Sequence, residues 1–131
     1  MKNFLAVCLA GAIGTGLRYL VSLWFVRNTA GTLPWGILAV NLAGSFLLGA
    51  VVGMAPLISP TSRAVLGVGL LGGFTTYSSF NQDTLGYALS SKWALAALNV
   101  GGTVVGCLLA GGLGLWFGRL VAGPVAVSPT T

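Results

Sequence analysis

Nine residues in the middle of an apolar stretch, Gly72-Gly73-Phe74-Thr75-Thr76-Tyr77-Ser78-Ser79-Phe80, include two glycines, two threonines and two serines. A helix facing lipid has no use for them. Irregular, polar backbone at membrane depth persists only where it is buried in protein or lines a cavity. The composition of this stretch therefore points to a path for an ion or a small solute. The other polar groups expected at membrane depth are mainly hydrogen-bond donors, Arg18, Asn41, Thr103 and the hydroxyls of the break, although Asn, Ser and Thr also accept; Asn99, six residues beyond Trp93, falls nearer the interface. Arg cannot give up its charge in a protein. Ionisable residues inside a span face a bundle interior or a watery cavity and are functional candidates, although Arg18 could also snorkel to the interface. Asp83 is the only acid in the chain, a possible counter-charge for Arg18 or a rim residue. One permanent cation and one acid lean towards an anion. Tyr77 and Phe80 lie three apart on one helix face, and a ring edge is the positive part of an aromatic quadrupole. Core packing is the ordinary alternative for both rings.

These groups require apolar elements to carry them. Only 7 of the 131 residues are charged, 56% are apolar, and the mean hydropathy of +0.96 exceeds what a soluble domain of this size tolerates. Apolar stretches cover 4–26, 34–57, 64–89 and 93–117. Each exceeds the about 20 residues that cross a bilayer core as a helix. Trp24, Trp35, Trp93 and Trp116 fall near their ends, where an amphipathic ring settles at the headgroup boundary. The sequence thus predicts an all-α integral membrane protein of four transmembrane helices, the third broken near its middle. Residues 1–119 form one transmembrane domain and 120–131 a flexible C-terminal tail. The first apolar run is too long for a cleaved leader and no polar mature start follows it.

Small residues recur at helical spacing. The second span carries Asn41, Ser45, Gly49 and Gly53, and the fourth Asn99, Thr103, Cys107 and Gly111, beside Gly102, Gly106, Ala110 and Gly114. The first span has Gly11, Thr15, Arg18 and Ser22 on one face. Small stripes let membrane helices approach closely, which is the preferred reading of the glycines. Asn41 could be interhelical glue or a ligand, since an amide in hydrocarbon is costly unless satisfied.

Several classes are disfavoured. There is no His, the commonest proton shuttle and metal ligand. Cys8 and Cys107 show no metal-ligand spacing, and no disulfide is expected. The six basic residues are scattered, which gives no nucleic-acid footprint. With four spans, Lys2, Arg63 and Arg119 lie on one side and Arg27 and Lys92 on the other. Three against two barely biases insertion, so the chain can insert both ways, and oppositely oriented copies could pair. A small multidrug exporter would need a membrane carboxylate for proton coupling, for which only Asp83 is available. A non-transporting membrane scaffold would leave Arg18 and the polar break without a purpose.

The motif at 72–80 resembles the third-helix signature of the small fluoride channels of the Fluc, or CrcB-type, family. Val40-Asn41-Leu42-Ala43-Gly44-Ser45-Phe46 resembles that family's second-helix motif, and Gly11-Ala12-Ile13-Gly14-Thr15-Gly16-Leu17-Arg18-Tyr19 its first. The three occur in order across nearly the whole chain. The resemblance implies an antiparallel, dual-topology homodimer in the bacterial plasma (inner) membrane, passively exporting fluoride from the cytoplasm through two pores, and no enzymatic activity. It implies an anion pathway of Asn41, Tyr77 and Phe80 with a fourth-helix polar track of Asn99, Thr103 and Cys107, to which the reading of the residues themselves adds Ser78 and Arg18. Tyr77 stands where the family usually has Phe, and Thr103 and Cys107 stand where it has Ser. The resemblance further implies a structural Na+ at the dimer centre, held by the backbone carbonyls of Gly72 and Thr75 from both subunits.

Overall fold

The computed structural model describes residues 2–29 and 33–123. The elements are helical and, among the described residues, no strand occurs. Helix α1 spans Lys2–Asn28, α2 spans Trp35–Gly53, and a 3-10 turn covers Ala55–Leu57. Next come α3 (Pro60–Arg63), a π-helical segment (Ala64–Leu71), α4 (Gly72–Phe74), α5 (Tyr77–Leu89) and α6 (Trp93–Ala122). Helices α1, α2 and α6 are each long and apolar enough to cross a membrane. The stretch between α2 and α6 is not one helix. Its break falls at Thr75 and Thr76, which are extended, with φ/ψ of −82/158 and −152/118.

Local chemistry sets these boundaries. Ser59 caps α3, its hydroxyl accepting from the Ser62 N–H at 3.1 Å, with Pro60 in the first turn, where a missing N–H costs nothing. Helical structure therefore begins four residues before the apolar run of the third stretch. Thr76 caps α5 in the same way through the Ser79 N–H. Ser91 turns the chain from α5 to α6 at a positive φ of 59. Helix α6 continues to Ala122, three residues beyond the expected domain end. The rest of the expected tail, 124–131, lies outside the described residues.

Helices α2 and α6 share the most extensive interface, and α1 lies along the π segment and α4. The glycine stripes form these contacts. A Cβ on Gly114 would strike the Phe46 carbonyl, and one on Gly73 the Gly11 carbonyl. Backbones touch here because no side chain stands between them, as expected of small-residue membrane packing. Most large apolar side chains point outward, among them Phe4, Leu9, Leu108 and Trp116. A chain whose exterior is this greasy is suited to lipid or to another copy of itself.

Candidate functional site

The break is stitched by side chains from two other helices. Asn41, on α2 and only 8% exposed, clamps the Thr76 backbone from both sides. Its Nδ2 donates to the Thr76 carbonyl at 3.1 Å and its Oδ1 accepts the Thr76 N–H at 2.8 Å. On α1, the Arg18 Nε and the Thr15 hydroxyl both donate to the Gly73 carbonyl, at 3.2 and 3.4 Å. The Thr75 hydroxyl returns to the Leu71 carbonyl at 2.9 Å. Breaking a helix strips peptide groups of their partners, and buried peptide groups must find others. Here an amide, a guanidinium and two threonines, Thr15 and Thr76, supply them, and the Thr75 hydroxyl adds a second donor to a carbonyl that keeps its helical partner. Gly44 lets α2 reach the break, since a methyl there would collide with the Thr75 side chain.

Beside the break lies a cavity of about 340 Å³, lined by Asn41, Gly72, Thr75, Tyr77, Phe80, Thr103 and Cys107 among others. It brings together most of the residues expected from the sequence. The Asn41 amide has two N–H groups, and Thr76 occupies only one of them. No described group hydrogen-bonds the Thr103 hydroxyl, which lines the same cavity. Cys107 is half-buried and unpaired. Phe80 is 7% exposed whereas Tyr77 is 77% exposed. Their rings lie 5.5 Å apart at a tilt of 56°, within the range in which aromatic edges and faces interact.

The remaining expected residues lie elsewhere. Asn99 is buried but braces α6 against α5: its Nδ2 donates to the Thr84 hydroxyl at 2.9 Å and reaches the Phe80 carbonyl at 3.5 Å. It does not line the cavity of Asn41. Ser78 is exposed, its hydroxyl 3.2 Å from that of Thr76. Arg18 lies against the Gly73 carbonyl, and no ion pair joins it to Asp83 among the described residues. Asp83 instead borders a separate cavity with Ser22, Phe25 and Trp35, so the idea that it is Arg18's counter-charge does not hold.

Two residues named in the sequence take roles that were not assigned to them there. Thr76 is the hub of the break, held by Asn41 at its N–H and carbonyl and capping α5 through the Ser79 N–H, and Thr is among the residues preferred at a helix N-cap. Thr15 shares the Gly73 carbonyl with Arg18. It stood in the small stripe of the first span, where composition could not tell a packing residue from a donor.

No group of three or more His, Cys, Asp or Glu side chains could hold a metal among the described residues. Carbonyl oxygens are the remaining hard ligands. In a continuous helix the Gly72 and Thr75 carbonyls would receive the N–H groups of Thr76 and Ser79. Asn41 and the Thr76 hydroxyl take those N–H groups instead. The chemistry of the two carbonyls thus fits a small hard cation.

Long apolar helices around a stitched, polar break define a helical membrane protein with a cavity beside the break. Residues 5–115 match the family described as CrcB-like protein, Camphor Resistance (CrcB), and the chain belongs to that family. It is 46% identical over 127 residues to the fluoride-specific ion channel FluC of Sorangium cellulosum, covering 94% of this chain and all of that one. It is 45% identical over 113 residues to the protein of that name from Anaeromyxobacter sp. strain K, covering 84% and 90%. A FluC from Shewanella frigidimarina is 46% identical over 110 residues, covering 82% and 89%.

Proposed function

We propose that this chain is a fluoride-selective channel that lets the ion leave the cytoplasm passively. Family membership and the names of the relatives support the ion. The observation that carries the reading is the cavity that Asn41, Thr103 and Phe80 line together. Moving even a carboxylate-sized ion from water into a low-dielectric medium costs about 20 kcal/mol in the idealised limit. A conducting site must replace most of that hydration without holding the ion so tightly that it cannot leave. Neutral donors such as those of Asn41 and Thr103 beside the break meet both demands. Thr103 and Cys107, four residues apart on α6, extend the donor track along the helix axis, the thiol as the weaker donor. Arg18 raises the potential at the break from the α1 side. Asn99 and Ser78 belong to the periphery of the path.

In this reading the stretch 60–89 makes a fourth crossing, so both termini lie on one side. A second, antiparallel copy covers the break. Gly72, Tyr77 and Ser78 are exposed in the single chain, and irregular backbone at membrane depth must be buried in protein. Two such breaks crossing at a two-fold axis would present the Gly72 and Thr75 carbonyls of both copies to one sodium ion. The membrane is the bacterial inner membrane. A multidrug exporter gains nothing from the cavity, which is lined by no carboxylate.

In proteoliposomes under matched gradients, fluoride efflux is expected to exceed chloride efflux by at least about 100-fold, because the larger chloride loses more than the donors return. Comparable chloride flux would overturn the fluoride assignment and leave an unselective anion pore. Dual topology is tested by a C-terminal tag probed from each face of an inner-membrane vesicle. Both populations should be labelled. A single orientation in all molecules would rule out an antiparallel pair.

A further inference from the structure

The helix break does not stay open unaided. Closing it would require the Thr76 N–H to bond the Gly72 carbonyl and the Ser79 N–H to bond the Thr75 carbonyl. Both N–H groups are captured. Asn41 Oδ1 holds the first at 2.8 Å and Thr76 Oγ1 holds the second at 3.2 Å. No described group donates to the Thr75 carbonyl. The Asn41 amide also fixes the rotation of the Thr76 residue, because it grips the carbonyl as well as the N–H. The captured N–H groups and the released carbonyls are paired one to one, and the released carbonyls are those of the sodium site described above.

We propose that Asn41 and Thr76 are positioning residues for the cation site, so that the asparagine facing the anion cavity also sets the affinity for sodium. The inference rests on the sodium reading. Its physical content is a competition. Removing the acceptor on Asn41, or the hydroxyl on Thr76, returns an N–H to its helical carbonyl and removes a ligand lone pair from the cation. The two ion sites are joined through one side chain: Asn41 lines the cavity and holds the break through one N–H and its oxygen.

The test reads cation binding and needs no flux. The melting temperature of the purified protein is measured against sodium chloride, with N-methyl-D-glucamine chloride holding ionic strength constant and fluoride omitted. Unsubstituted protein should be stabilised saturably by sodium. Asn41→Leu and Thr76→Val should each require at least about tenfold more sodium, the scale of one lost hydrogen-bonded group. Asn41→Asp keeps an acceptor for the Thr76 N–H but loses the donor to the Thr76 carbonyl, so it should raise the sodium requirement less than Asn41→Leu does. Phe80→Ile, which touches neither captured N–H, should also leave the sodium response unchanged. A normal sodium response in Asn41→Leu or Thr76→Val overturns the inference and leaves the sodium site standing. If Asn41→Leu cannot be purified, Thr76→Val decides alone. An unsubstituted protein indifferent to sodium overturns the sodium site itself, and that failure is visible before any variant is made.

Discussion

Asn41→Asp is expected to lower fluoride efflux by at least about 100-fold. The substitution is nearly isosteric, so the shape of α2 is kept. It removes both amide N–H groups, of which Thr76 occupies one, and a hydrogen bond to a charged group contributes about 1.5–3 kcal/mol. It also sets a carboxylate beside the ion. At about 4 Å and an effective dielectric constant of 20, like charges repel by about 4 kcal/mol. Each 1.4 kcal/mol is about a factor of ten in rate, so the two effects together exceed the stated drop. Protonation of the buried carboxyl would recover part of it, which makes the figure a floor. One carboxylate oxygen still accepts the Thr76 N–H while the bond to the Thr76 carbonyl is lost, so assembly should be weakened but retained, as size-exclusion chromatography would report. Phe80→Ile should likewise cut efflux strongly while assembly persists, because an aliphatic side chain fills the space but offers no positive ring edge. Collapse of assembly in Asn41→Asp, with efflux proportional to the protein that survives, would mean the amide is only glue. Intact protein with normal efflux in both variants would put the pore on other residues.

Gly114→Ala should strongly destabilise the fold, whereas Gly102→Ala should not. Both glycines belong to one small stripe on α6. A Cβ at Gly114 would lie 2.8 Å from the Phe46 carbonyl carbon and closer still to its oxygen. These are backbone atoms of α2, so no rotamer change relieves the clash and the two helices must move apart. Overpacking of this kind costs about 1–3 kcal/mol, and the upper end applies where backbone is struck. A melting temperature lower by at least about 5 °C is expected for a domain of this size. At Gly102 nothing lies within 4 Å of the added carbon. Alanine there removes the conformational freedom of glycine and should be neutral or stabilising by up to about 1 kcal/mol. Equal losses at the two positions would show that α2 and α6 do not meet through Phe46 and Gly114.

Hydropathy is a property of each residue and its neighbours in the chain. The bilayer-length helices, their Trp-marked ends and the polar interruption at 72–80 were therefore visible in sequence. So were the small stripes, because a period of four places residues on one face whatever lies opposite. What lies opposite is a matter of helix rotation and register between distant segments. Only the tertiary structure brought Asn41 to Thr76, 35 residues away, and Arg18 to the Gly73 carbonyl, 55 residues away. It also turned Asn99 to Thr84 and away from the main cavity, and set Asp83 beside Ser22 in another. Gly102 and Gly114 look alike in sequence, and only the packing of α2 separates them. Composition thus required that a broken helix find partners for its stranded peptide groups. Which side chains supply them was decided by the packing of three helices around the break, because a hydrogen bond depends on tenths of an ångström that no residue pattern records.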